Sequence, residues 1–264
     1  MNTIKTAAHL RYTAIQMSHR SKAAHLASSL SCIDILTVLY EKILKINPRK
    51  RDQKRDRFIL SKGHAAGALY ATLAHKGFFN KNKLLTYATK GSLLEEHPNP
   101  KLNGIEAPTG SLGHGLPIAC GMALSAKILN LNFKTFVLLG DGECNEGMVW
   151  EAILFSSHQK LDNLMAIIDY NKLQGFGSTK SILNLDPLKE KFESFGWNVL
   201  EVNGHDIKSI VNASRELLEK KNKPNLIIAN TVKGKGADSM ENKLESHYEV
   251  LDEKKYLDII KNYK

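Results

Sequence analysis

Residues 136–152 read FVLLGDGECNEGMVWEA: an apolar run climbs to Gly140-Asp141-Gly142, and a helical apolar rhythm resumes after it. The next apolar run, LMAIID (164–169), leads into DYNKLQGFG and places Asn171 thirty residues after Asp141. Asp141 offers a carboxylate oxygen, Asn171 an amide oxygen, and a nearby carbonyl such as that of Leu173 a third. Three oxygen donors without His or Cys suit a hard cation, Mg²⁺ or Ca²⁺, with the other coordination positions left to phosphate oxygens and water. Gly142 would let the backbone approach such phosphates, and the following helix N-terminus offers free N–H groups. Taken singly, Gly-Asp-Gly is also an ordinary turn and Asn an ordinary strand-end residue. Their spacing is what adds information. A right-handed crossover returns the second strand parallel to the first, and as neighbours their carboxyl ends lie about 5 Å apart, on the sheet edge where α/β ligands bind.

Imidazoles form the second set of chemistry-bearing groups, because they hydrogen-bond to sugar oxygens and exchange protons near neutrality. His64 follows a glycine at the end of a short strand, and His97 precedes Pro98, which restrains its loop. His25 lies in KAAHLASSLS and His247 in SHYE. His9, His19, His75, His114, His158 and His205 read as surface or satisfied core residues.

The elements that must position these residues alternate. Helical periodicity covers roughly 4–20 and 31–46, RFILS (57–61) is a short strand, and 65–77 is a helix ending in Gly. A helix rich in small residues follows at 115–130, then strand 135–140, helix 146–160 and strand 164–169. Strand 198–202, helix 206–221 and strand 225–231 complete the pattern, and a polar tail from about 234 wraps the surface or a partner. Buried strands alternating with helices imply a single α/β domain over 1–264, a parallel sheet sandwiched by helices.

Composition narrows the class. The 264 residues include 42% apolar residues, enough for one sizeable core. No run of eighteen apolar residues spans a membrane. Cys32, Cys120 and Cys144 stand far apart without metal spacing and read as reduced thiols, which points to the cytoplasm. The net charge of +10 raises the question of nucleic acid, but the dense run NPRKRDQKRDR is interleaved with aspartates and has no aromatic partners. A solvated linker and an anionic substrate account for the charge instead.

GDG followed by Asn at this distance is similar to the thiamine diphosphate motif. SKGH (61–64), HP (97–98), TGSLGHG (109–115) and GDGECNEG (140–147), in this order, resemble the N-terminal half of transketolase, over about residues 5–250. The resemblance implies a thiamine diphosphate-binding fold, with thiamine diphosphate and Mg²⁺ or Ca²⁺ as cofactors. It places the metal on Asp141, Asn171 and the Leu173 carbonyl. His64, Gly110 and Leu112 would touch the cofactor, Gly142, Glu143 and Asn171 its diphosphate end, and Lys233, fourteen residues before His247, would lie close by. His25, His97 and His247 match histidines lining the substrate channel. Glu146 and Glu151 match acids linking cofactor sites across a subunit interface, although first-turn acids are also favoured by the helix dipole. The sequence departs from the family at Ala24-His25-Leu26, where Gly-His-Pro is usual, and at SHYE, where WHG is usual.

The second half of a transketolase supplies the aminopyrimidine site, the activating glutamate and most sugar-phosphate ligands. The resemblance therefore implies a split enzyme transferring a two-carbon ketol unit between sugar phosphates, completed by a C-terminal subunit, with two copies of each chain. GLPIACGMALSA and MVWEAILFSS are candidate interface faces, or equally intrachain core. The alternatives are the α subunit of a 2-oxo acid dehydrogenase and a catalytically silent subunit.

Overall fold

The computed structural model describes residues 2–50 and 52–263. Two long helices open the chain, α1 (Thr3–Ser21) and α2 (Leu26–Val38), followed by β1 (Arg57–Leu60), α3 (Ala66–Lys76) and α4 (Gly115–Ile128). Next come β2 (Thr135–Gly140), α5 (Gly147–His158), β3 (Leu164–Tyr170) and the short α6 (Thr179–Ile182) and α7 (Leu188–Ser194). The chain ends with β4 (Asn198–Asn203), α8 (Ile207–Glu219), β5 (Asn225–Asn230) and α9 (Glu253–Ile260).

Among the described residues five strands form one parallel sheet in the order β1-β2-β3-β5-β4. Strands β2 and β3 are buried throughout and mostly apolar, because both their faces are covered. Phe136, Leu138, Met165, Ile167 and Ile227 point to one cluster, with Leu10, Leu30, Leu69 and Ile210 from α1, α2, α3 and α8. Their alternates Val137, Leu139, Ala166, Ile168 and Ile228 point to the other, with Leu116, Val149 and Phe192 from α4, α5 and α7. From β1 the chain passes through α3 on the first face and α4 on the second to reach β2, and the steps from β2 to β3 and β3 to β4 run through α5 and α7 on the second face. The return from β4 to β5 runs through α8 on the first, as right-handed crossovers require.

Several boundaries differ from those read off the sequence. The second helix starts at Leu26, not near 31, because Lys22 and His25 adopt left-handed backbone and break it from α1. Its serines hide the periodicity. Ser28, Ser29 and Ser31 are buried, and Ser31 is turned inward to a carboxylate. The α-helix stops at Val38, and one π-helical turn over Leu39–Ile43 replaces the expected extension to 46. Helices α6, α7 and α9 fall in stretches read as loop or tail.

The segment from 234 onward returns across α1. Leu251 and Ile259 are buried, Tyr256 stacks on His19, and Lys22 donates to the Leu251 carbonyl at 3.1 Å. The basic run before β1 is largely exposed, but its end is anchored: Arg55 and Arg57 pair with Glu106, and buried Asp56 accepts from the Lys45 and Lys134 amides.

Ile167 at the centre of β3 is fully buried, whereas Leu154 on the outer face of α5 is 60% exposed. Ile167→Ala is expected to lower the urea-unfolding free energy by about 2–5 kcal/mol, and Leu154→Ala to leave it within about 0.5 kcal/mol.

Candidate functional site

The register of β2 on β3 pairs Gly140 with Asp169, so the chain turns out of both strands side by side and at one level. Asp141, 3% exposed, begins the turn after β2. Its Oδ1 accepts from the Gly142 amide at 2.7 Å and its Oδ2 from the Lys172 amide at 2.5 Å, which locks the two turns together. Asn171 Oδ1 accepts from the Leu173 amide at 3.1 Å. The Leu173 carbonyl accepts from Lys233 Nζ at 3.3 Å and keeps a second lone pair.

Beneath Asp141 lies a buried ion pair. Lys62, 1% exposed, reaches Asp169, and Asp169 also accepts from Ser31 and Thr231. Burial pushes the Asp169 carboxyl up, but the Lys62 ammonium and the three hydrogen bonds outweigh it and hold the group below the usual range. Among the described residues Asp141 has no such paired counter-ion. Burial, then the neighbouring Asp169 charge, pushes its carboxyl up to about 7. A divalent cation would relieve that cost, so one buried carboxylate, one amide oxygen and one carbonyl fit Mg²⁺ or Ca²⁺.

A cleft of about 520 Å³ opens over these turns. His25, His64, His97, Gly110, Leu112, Glu146 and His247 line it together with Asp141, Gly142, Glu143, Asn171 and Leu173. Lys233 stands behind His247, donating to its Nδ1 at 2.7 Å. Glu151 is exposed on α5, outside the cleft. The glycines set how closely the walls approach. A methyl group on Gly142 would meet Gln174 Cγ at 2.8 Å. Gly110, at φ 139°, passes under the His97 ring, where a methyl group would lie 2.8 Å from Cδ2. Gly140 is less constrained, since a methyl there would only touch Lys62 Cβ at 3.7 Å.

The Glu143 side chain is committed to hydrogen bonds within the chain. It is 2% exposed and turned inward, accepting from Ser61 Oγ and from the Gly113 and Gly140 amides, the latter at 2.9 and 3.1 Å. It ties the 109–115 loop to the end of β2, and only its main chain is left to meet a ligand.

His25, His64 and His247 converge, with ring centres 5.2–5.6 Å apart. Burial lowers all three titrations. Lys62 adds to the effect at His64, and Lys233 adds to it at His247, which drops to about 3. Neutral imidazoles near pH 7 both donate and accept. Lys233 itself is lowered to about 8, by burial and then by Lys62.

Sequence reasoning missed Ser28, Lys62, Gln174 and Tyr248, all of which line the cleft. Lys62 stood in plain view inside SKGH. Tyr248, in the SHYE departure, packs edge-on to His25 and His247 at 5.3 and 4.5 Å. Three buried atoms beside the cleft, Gln174 Nε2, His25 Nδ1 and Asn145 Oδ1, have no hydrogen-bond partner among the described residues, as expected of a wall shaped for a polar ligand.

A family model, the thiamine diphosphate binding domain of transketolase, matches residues 3–263. One of the subunits of the apulose-4-phosphate transketolase of Phocaeicola vulgatus is 41% identical over 248 residues, 94% of this chain and 88% of that protein. The 6-deoxy-6-sulfo-D-fructose transketolase subunit SqwG of a Clostridium species is 43% identical over 225 residues, 84% and 82% of the two chains. Transketolase from Leishmania mexicana superimposes with a TM-score of 0.95 at 28% identity, covering all of this chain and 41% of that one. The chain thus spans about two fifths of that structure.

Lys62→Met would leave Asp169 a buried unpaired charge and is expected to cost about 3–5 kcal/mol in urea unfolding. The lowered histidines give a pH dependence of known sign. Their folded values lie below the unfolded 6.5, so the unfolded chain binds more protons and stability falls on acidification through that range. His247→Gln is expected to flatten the fall measured between about pH 6.5 and pH 4.

Proposed function

The chain belongs to the transketolase family, and from that premise we propose that its 264 residues form one domain, the N-terminal subunit of a split transketolase. With a C-terminal subunit it moves a two-carbon ketol unit from a ketose to an aldose, and its substrates are sugar phosphates. The observation that carries this reading is the register of β2 on β3, which delivers Asp141 and Asn171 to one cleft shared with His25, His64, His97 and His247.

Bound thiamine diphosphate supplies the nucleophilic carbon that carries the two-carbon unit. The chain's own groups do the holding and the proton work. Asp141, Asn171 and the Leu173 carbonyl would hold the Mg²⁺ or Ca²⁺ ion, and Gly142 and the Glu143 main chain would approach the diphosphate. His64, Gly110 and Leu112 would pack on the cofactor, with Lys233 behind them. His25, His97 and His247 would hydrogen-bond to carbonyl and hydroxyl oxygens of the sugar and pass protons to them.

Two copies of each subunit would complete the assembly as a heterotetramer. The relatives named as transketolase subunits support a separate partner. Exposed Met148, Leu154 and Phe155 of α5, with Ile128 and Leu129 at the end of α4, supply apolar surface for subunit contact, and Glu146 and Glu151 stand beside that surface. Three free, buried cysteines accord with the cytoplasm. Among the described residues no helix is long and apolar enough to cross a membrane.

The test is thermal unfolding of the full chain with its partner, with and without thiamine diphosphate and Mg²⁺, beside an assay on xylulose 5-phosphate and ribose 5-phosphate. Ligand at a hundredfold excess over Kd stabilises by about 2.7 kcal/mol. Asp141→Asn removes the uncompensated charge. It is expected to abolish the ligand-dependent gain and ketol transfer. No ligand-dependent gain in the unmutated pair would leave a catalytically silent subunit.

A further inference from the structure

His205 reads from sequence as a satisfied core residue, and its partners show what it is satisfied by. Its Nε2 accepts from the Val232 amide at 2.8 Å, and its Nδ1 lies 2.8 Å from Asp34 Oδ2. Arg11 Nη2 donates to the same Asp34 oxygen at 2.7 Å. All three side chains are largely buried, at 11%, 10% and 14% exposure for Arg11, Asp34 and His205. A peptide N–H can only donate, so Nε2 carries the lone pair and Nδ1 the proton, which points at the Asp34 carboxylate.

Val232 precedes Lys233, whose ammonium lies 2.7 Å from His247 Nδ1 and 3.3 Å from both the Leu173 and Gln174 carbonyls. An ammonium also only donates, so His247 Nδ1 carries a lone pair and its proton sits on Nε2. The loop bearing Lys233 is secured at other points too. The Gly234 amide donates to the Ala27 carbonyl at 3.0 Å, and the Asn242 amide donates to the Lys233 carbonyl at 3.0 Å. The Val232 bond is the restraint immediately before the lysine, and it originates in α2 and the end of β4.

We propose that Asp34 and His205 are positioning residues that aim Lys233 at His247, so that His247 offers the substrate an N–H donor at Nε2. The oxygen it would meet is an acceptor, a carbonyl or hydroxyl oxygen of the sugar. This consequence rests on the reading of the cleft as the reacting site, but the positioning itself is a property of the free chain.

The experiment is imidazole ¹H–¹⁵N NMR on the full 264-residue chain without cofactor, comparing the unmutated protein with Lys233→Met, His205→Phe and Asp34→Asn. In the unmutated protein His205 is expected to be protonated at Nδ1 and His247 at Nε2. Lys233→Met should replace the single His247 tautomer with an averaged pattern. His205→Phe and Asp34→Asn should produce the same loss at His247 while amide signals of the sheet stay in place. If His205→Phe does not fold, Asp34→Asn, which keeps size and shape, decides. An Nε2-protonated His205 in the unmutated protein would overturn the proposal, as would an unmoved His247 pattern in the Asp34 and His205 variants. A failure to bind thiamine diphosphate would count against the transketolase reading and leave these spectra unaffected.

Discussion

The buried ion pair between Lys62 and Asp169 is the constraint around which the cleft is arranged. It joins the end of β1 to the end of β3 across the intervening β2, and draws in Ser31 from α2 and Thr231 after β5. Two charges taken out of water are costly unless every remaining hydrogen-bonding position is filled. Here Lys62 also donates to the Ser28 carbonyl at 3.0 Å, so both partners are satisfied. The pair permits one relative placement of four elements and with it one position for each turn above. It also decides where charge is left over. Lys62 is committed to Asp169, so the buried Asp141 carboxylate above it is left without a paired cation among the described residues.

The walls follow from how the surrounding groups are held. Glu143 pulls the 109–115 loop onto β2 by accepting two amides and a hydroxyl, which brings Gly110 beneath His97. Burial keeps His25, His64 and His247 uncharged, so a ligand meets imidazoles that both donate and accept. Where a fixed donor such as Lys233 reaches one ring nitrogen, the other nitrogen's role is set as well. Pre-set polarity of this kind requires no reorganisation when charge develops in the cleft.

The chain matches one domain of a family whose solved members are more than twice its length, and relatives named as subunits match it nearly end to end. Its cleft presents a wall of oxygen donors, Asp141, Asn171 and Leu173, and a histidine wall. The apolar side chains exposed on α5 and at the end of α4 lie on the helix layer that covers the sheet beside it.

The alternation of strands and helices, the parallel sheet, and the convergence of Asp141 and Asn171 should their two strands be neighbours were legible in the residues themselves, because period and the crossover rule act between consecutive elements. So were His25, His64, His97 and His247, through motifs that resemble the family's, although only His64 stands at a strand end. Tertiary structure decided the rest. Whether Glu143 faces a ligand or the protein depends on Ser61 and Gly113, which are distant in sequence and adjacent only after folding. The early start of α2 was hidden by serines that look polar and are buried, Ser31 with its hydroxyl on Asp169. His205 seemed inert because its partners, Asp34 and Val232, come from α2 and from the loop after β5. Sequence pattern records which groups are near in the chain. The polarity of a buried group is set by the groups folding brings against it, and those lie tens to hundreds of residues away.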